Sequence, residues 1–196
     1  MNSRPARSPS HMLDSLINLL EGAPQAGIIL RNVLAEEKEP RKAVARLRWE
    51  PIIGSAYFTL AGADGTGSLI ARGQTRFMIS DFDKQAPGHI TSRTYELKEK
   101  SNGATEWITK RVSDRKGWFL AQTNCDAEWA GVDIDDGRFF RVNELMEHLG
   151  QFEAEDLQRV REKVLFQEGV VFSESVYNTL MCPATNFYDT IRLFSK

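Results

Sequence analysis

Two extended runs, 90–100 and 104–112, meet at Ser101-Asn102-Gly103, and this is the feature that most restricts the fold. An Asn-Gly pair between β-rich runs is the strongest short-range sign of a hairpin, because both residues tolerate the positive φ of a tight turn. Tyr95, Leu97, Trp107 and Ile108 supply the residues expected to face a core from its two arms. A chain with such a hairpin at its centre must find further strands or helices to cover it, since two strands alone are marginally stable.

The surrounding sequence offers them. Residues 42–49 alternate, with Ala43, Ala45, Leu47 and Trp49 on one side and Val44, Arg46 and Arg48 on the other, which reads as a strand with one wet face. Ile52 to Leu60 reads as the next strand, and Gly62-Ala-Asp-Gly65 as a turn. Leu69 to Ala71 and Thr75 to Phe82 follow, with Gly73 a bulge or a bend between them. Asp83 to Gly88 reads as a loop. Beyond the central hairpin, Ser113 to Gly117 reads as a turn into a strand over 118–123, and Asp135-Asp136-Gly137 as a turn between strands over 129–134 and 138–142.

Helices are expected at both ends. Leu13, Leu16, Ile17 and Leu20 fall on one helical face, and Gly22 and Pro24 end it. Residues 26–35 fit either a helix or a buried strand; the helix formers that continue to Glu39 favour the helix, with Pro40 as its stop. Near the C-terminus Asn143 is expected to cap 144–149 before Gly150 breaks the chain. Phe152, Leu157, Val160 and Val164 stripe a further helix, with Glu155 and Arg159 spaced for an ion pair. Residues 169–172 and 187–194 read as strands flanking a short helix over 173–181.

The fold class expected from this succession is α+β, mainly β. An antiparallel meander forms a barrel or strongly curved sheet, with N-terminal and C-terminal helices packed against it. Residues 12–196 read as one globular domain. Residues 1–11, polar and proline-containing, read as a disordered head or as a cloning junction, since Ser-His-Met is what tag removal leaves behind.

Composition excludes several function classes. With 25 basic and 27 acidic residues the net charge is −2, so nucleic acid is an unfavoured partner. Lys98, Lys100, Lys110, Arg111, Arg115 and Lys116 do surround Trp107 and Trp118, but Glu96, Glu99, Glu106 and Asp114 dilute them. No apolar run approaches the roughly 20 residues of a spanning helix, and the first apolar stretch lacks signal-peptide features, so no membrane partner and a cytoplasmic location are expected. Cys125 and Cys182 are too few for a disulfide framework, and Asp126 and Glu128 beside Cys125 oppose thiolate formation. Three scattered histidines, His11, His89 and His148, do not complete a metal site, and no cofactor is implied. Asp133 to Glu144 fails as a calcium loop, because the glycine register places Val132 and Ile134 at ligand positions. Gly62 to Gly67 lacks the lysine and the following helix of a phosphate loop.

What remains is a concentration of aromatic residues in the strand-rich middle. Trp49, Tyr57, Phe77, Tyr95, Trp107 and Trp118 would line a barrel interior, with Arg72, Arg76 and Arg93 as polar contacts to an acidic group. The leading expectation is a carrier or accessory protein that binds a small, largely apolar molecule in that cavity. An isomerase, cyclase or lyase using the same cavity, and a homo-oligomeric interaction module without one, are the alternatives. Sequence alone leaves enzyme activity open.

Overall fold

The computed structural model describes residues 2–4, 16–73, 76–82, 88–123, 137–171, 175 and 177–193. The chain is α+β, with mainly antiparallel strands and several helices, and forms two compact units, residues 1–62 with 66–120 and residues 63–65 with 121–196.

In the first unit, Pro40 begins a helix instead of ending one. Helix α1 (Ala26–Glu36) buries Ala26, Ile29 and Val33, one face at helical spacing. Helix α2 (Pro40–Trp49) has Pro40 in its first turn, where a missing N–H costs nothing, and buries Ala43 and Leu47 at i and i+4. The strand expected over 42–49 is therefore a helix. Its alternation was ambiguous because Ala43 and Leu47 satisfy both periods, and Ala, Arg and Lys favour the helix. Arg46 fastens the two helices together, its guanidinium reaching Glu36 and Glu37 on one side and Glu50 on the other. Residues 16–20 are also helical, and Asn18 donates its side-chain N–H to the Ile52 carbonyl at 3.0 Å.

The sheet is a meander in the order β1 (Asn2–Arg4), β2 (Ser55–Ala61), β3 (Gly67–Arg72), β4 (Arg76–Phe82), β5 (His89–Glu99) and β6 (Thr105–Lys116), every neighbour antiparallel. Only β1 lies within the head 1–11; its residues 5–11 fall outside the described chain. Closure into a barrel is not seen among the described residues, where β1 and β6 are the two ends of the sheet. The β6 edge instead carries the exposed charges of Lys110, Arg115 and Lys116, which discourage pairing with another strand.

Register sorts the side chains. Phe58, Ile70, Ile79 and Arg93 lie in one cross-strand row, and Ala56, Arg72, Phe77, Tyr95 and Thr109 in the next. This face receives α1 and α2, so that Ile29, Val33 and Leu47 join Phe58, Ile70, Phe77 and Ile79 in one core. Each fully buried side chain of this size contributes about 1.5–3 kcal/mol. The opposite face is buried too, through Tyr57, Leu69, Ala71, Met78, Ser80, Ile90, Ser92 and Thr94. On it the hydroxyls of Ser80 and Ser92 satisfy each other at 2.8 Å.

The central hairpin forms as expected, with a longer tip than a two-residue turn. Lys100 and Ala104 close it, Gly103 donates to the Lys100 carbonyl at 2.9 Å, and Asn102 accepts from Ala104 N–H. Only Gly103 is left-handed, at φ +79°, so Asn102 acts through its side chain and not its backbone. Gly103→Val is expected to cost about 1–2 kcal/mol, because a β-branched residue resists that φ. Urea denaturation measures the loss, and a fully stable variant would contradict this tip geometry.

The turn expected at Ser113–Gly117 is absent, because β6 continues to Lys116, paired with His89. Gly117 ends the strand where a Cβ would lie 2.6 Å from the Ile90 side chain. Residues 118–123 form no strand. Gly73 proves to be a hairpin bend, donating to the Arg76 carbonyl at 2.9 Å. The loop 83–87 and the expected strand 129–134 lie outside the described residues.

The second unit departs further from expectation. Residues 138–142 open helix α3 (Arg138–Ala154), which Gly150 interrupts with a kink. Asn143 lies within that helix, donating to the Phe139 carbonyl, and is not its cap. Helix α4 (Leu157–Val160) is capped by Asp156 and runs into a π-helical turn, Arg161–Leu165. Phe152 is exposed, so the apolar stripe begins after it, and Arg159 pairs with Glu153 and Asp156 instead of Glu155. The expected strand at 169–172 reduces to a turn with a bridge between Glu168 and Val171, Phe172 lying outside the described residues. The helix expected over 173–181 gives way to strand β7 (Tyr177–Cys182), which pairs with β8 (Phe187–Arg192). Arg161, 1% exposed, pins this hairpin through Asn178 (3.1 Å), the Asp189 carboxylate (2.5 Å) and the Asp189 carbonyl (3.2 Å).

Candidate functional site

Helix α2 ends at Trp49 because Pro51 follows and because a buried arginine holds its last turn. Arg72, on β3, donates to the Leu47 and Glu50 carbonyls, both at 2.8 Å. These are orphan carbonyls of a helix terminus, and a cation there also suits the helix dipole. Burial pushes the Arg72 pKa down to about 10, against the opposing pull of Glu50. Its guanidinium carbon lies 5.8 Å from the Phe77 ring centroid. Arg72 thus positions the site by anchoring α2, and two of its donors are already committed to backbone.

Trp49 then meets three rings delivered by three successive strands. Phe77 of β4 lies at 5.3 Å, Tyr95 of β5 at 6.0 Å and Trp107 of β6 at 6.0 Å between centroids, all edge to face. Phe77 stacks on Tyr95 at 4.7 Å and meets Trp107 at 4.8 Å. Such pairs contribute about 0.5–1.5 kcal/mol each beyond their buried area. Phe77 and Tyr95 are interior, Trp107 is partly buried, and Trp49 is 45% exposed. The four rings therefore form a packed group with an open rim.

Arg48 closes one side of that rim. Its guanidinium lies 4.5 Å from the Tyr95 centroid and 5.0 Å from that of Trp49, and its Nη2 donates to the Tyr95 hydroxyl. On the strand expected over 42–49, Arg48 would lie on the wet face; on α2 it falls in the last turn, next to Trp49.

Of the nine residues selected from sequence, Trp49, Arg72, Phe77, Tyr95 and Trp107 come together. Tyr57 is buried on the other face of the sheet, as its offset from Phe58 requires. Trp118 packs on Phe119 at 4.9 Å, outside the four-ring group. Arg76 opens β4 opposite Glu96 and is exposed. Arg93 shares the face of Phe77 but lies 3.8 Å from the Asp81 carboxylate.

A scan of protein-family models finds no match to this chain, and none is found among curated proteins or solved structures. The site must be read from its own chemistry. Among the described residues no three His, Cys, Asp or Glu side chains converge on one point, and no helix is long and apolar enough to cross a membrane. Cys125 lies outside the described residues.

Proposed function

We propose that this protein binds a small, largely apolar organic molecule bearing a flat ring, as a carrier or accessory protein of the cytoplasm. The observation that carries this reading is Trp49. It is a large aromatic side chain in contact with three other rings, fixed at a helix terminus by a buried arginine, and yet nearly half exposed. Phe77 and Tyr95 are buried beside it, so Trp49 is the most exposed ring of the group. The ligand in this reading stacks on the Trp49–Trp107 rim, and the inner pair of rings supplies a rigid floor, which keeps the ordering cost of binding low.

Tryptophan fluorescence of the intact protein, titrated with neutral 2-naphthamide, tests this directly. A saturable change is expected, and Trp49→Ala should weaken binding by about ten-fold, in line with aromatic stacking elsewhere. Thermal melting of the same variant should also fall, because the ring packs on three others, so affinities are compared at a temperature where circular dichroism shows both proteins folded. A native protein with no saturable response would remove the proposal.

A further inference from the structure

We infer that the rim selects planar organic anions, aromatic carboxylates in particular, and that Arg48 is the group that reads the acid; this rests on the ring-binding reading above. The arginines of this region differ in what compensates them. Arg46 faces Glu36, Glu37 and Glu50. Arg72 has neutral partners and an unpaired Nε, but it is 4% exposed and gives two donors to helix carbonyls, so it is closed to a ligand; Arg93 has Asp81 at 3.8 Å. Arg48 has neutral partners only: the Tyr95 hydroxyl and the faces of Trp49 and Tyr95. No carboxylate of the described residues reaches it, and its Nε is buried without an acceptor.

The guanidinium is a permanent cation. Partial burial weakens the compensation that water offers, and ring faces replace only part of it. A permanent cation so placed gains from an arriving anion far more than a solvated surface arginine would. With the guanidinium carbon 5.0 Å from the Trp49 centroid, an acid carried directly on a ring that stacks at this rim lies within reach of Arg48. Nη1 donates to no described residue, so the outer end of the guanidinium is available to a carboxylate.

The test compares 2-naphthoate with its neutral isostere 2-naphthamide by fluorescence titration and calorimetry of the full chain. Naphthoate should bind the native protein about ten-fold more tightly, the worth of one charge-assisted hydrogen bond. Arg48→Met should bring naphthoate and naphthamide to the same affinity, whatever that affinity is, and Arg48→Lys should keep part of the preference. Circular dichroism checks that both variants fold; the native comparison tests the preference for the acid, and the folded variants test its assignment to Arg48. Equal affinity of acid and amide for the native protein would overturn this inference and leave ring binding intact. A preference that survives in Arg48→Met would also overturn it, by assigning the acid to another cation. Failure of both probes to bind would remove the ring-binding reading, and this one with it.

Discussion

Phe77→Ala is expected to destabilise the protein by about 3–5 kcal/mol, the range for deleting a fully buried phenylalanine ring. Phe77 has no exposed surface and lies between Tyr95, Trp107 and Trp49 at centroid distances of 4.7, 4.8 and 5.3 Å. Truncation leaves a void that the neighbours cannot easily fill: Tyr95 is held by its strand and by Arg48, and Trp49 by the α2 terminus. Losses of this size approach the whole stability of many domains, so the variant should be largely unfolded at moderate urea. A shift below about 1 kcal/mol would show that the rings are loosely associated and not a packed floor.

Arg161→Ala should be the corresponding lesion in the second unit, costing about 2–4 kcal/mol, slightly less than a wholly buried ion pair because Asp189 is 44% exposed and can rehydrate. The guanidinium joins the π-helical turn to both strands of the β7–β8 hairpin, at Asn178 and Asp189. A two-stranded ribbon has little stability of its own, so the hairpin depends on this tether. Amide hydrogen exchange at Thr179, Leu180 and Thr190 should accelerate strongly. Arg161→Lys should not restore protection, because one ammonium cannot serve a side-chain amide, a carboxylate and a carbonyl together. Unchanged exchange in either variant would mean that other contacts hold the hairpin.

The β5–β6 hairpin and α1 were legible in the sequence because their signals are local: a turn dipeptide in one, and in the other the helix formers that continue an otherwise ambiguous run to Glu39. Residues 42–49 were not. Eight residues with apolar side chains at 43, 45, 47 and 49 satisfy a period of two, and the helix was marked only by Ala43 and Leu47 and by the choice of arginine and alanine between them. That single misreading hid Arg48, since on a strand it would face water and on the helix it adjoins Trp49. Phe77, Tyr95 and Trp107 could be grouped from composition, because neighbouring strands deliver them in sequence. Tyr57 was separable in principle, lying one residue out of phase with Ala56 and Phe58. The commitment of Arg72 to the α2 carbonyls was not, because nothing local to β3 says where a helix ends.

One irregularity has an effect larger than its size. Between Thr94 and Tyr95 the register with β6 slips, so that Thr94 faces Arg111 while Tyr95 faces Thr109, and Lys110 is left over. Trp107 and Thr109 therefore share a face with Val112 and Asp114, odd numbers on one side of the slip and even numbers on the other. A single extra residue changes the phase of the strand half-way along its length. Without it, an alternation that set Val112 beside Arg93 would turn Trp107 to the opposite side of the sheet, and the rim would lose its second indole. The two halves of β6 are in this sense written in opposite phases, and Lys110 is the place where one gives way to the other.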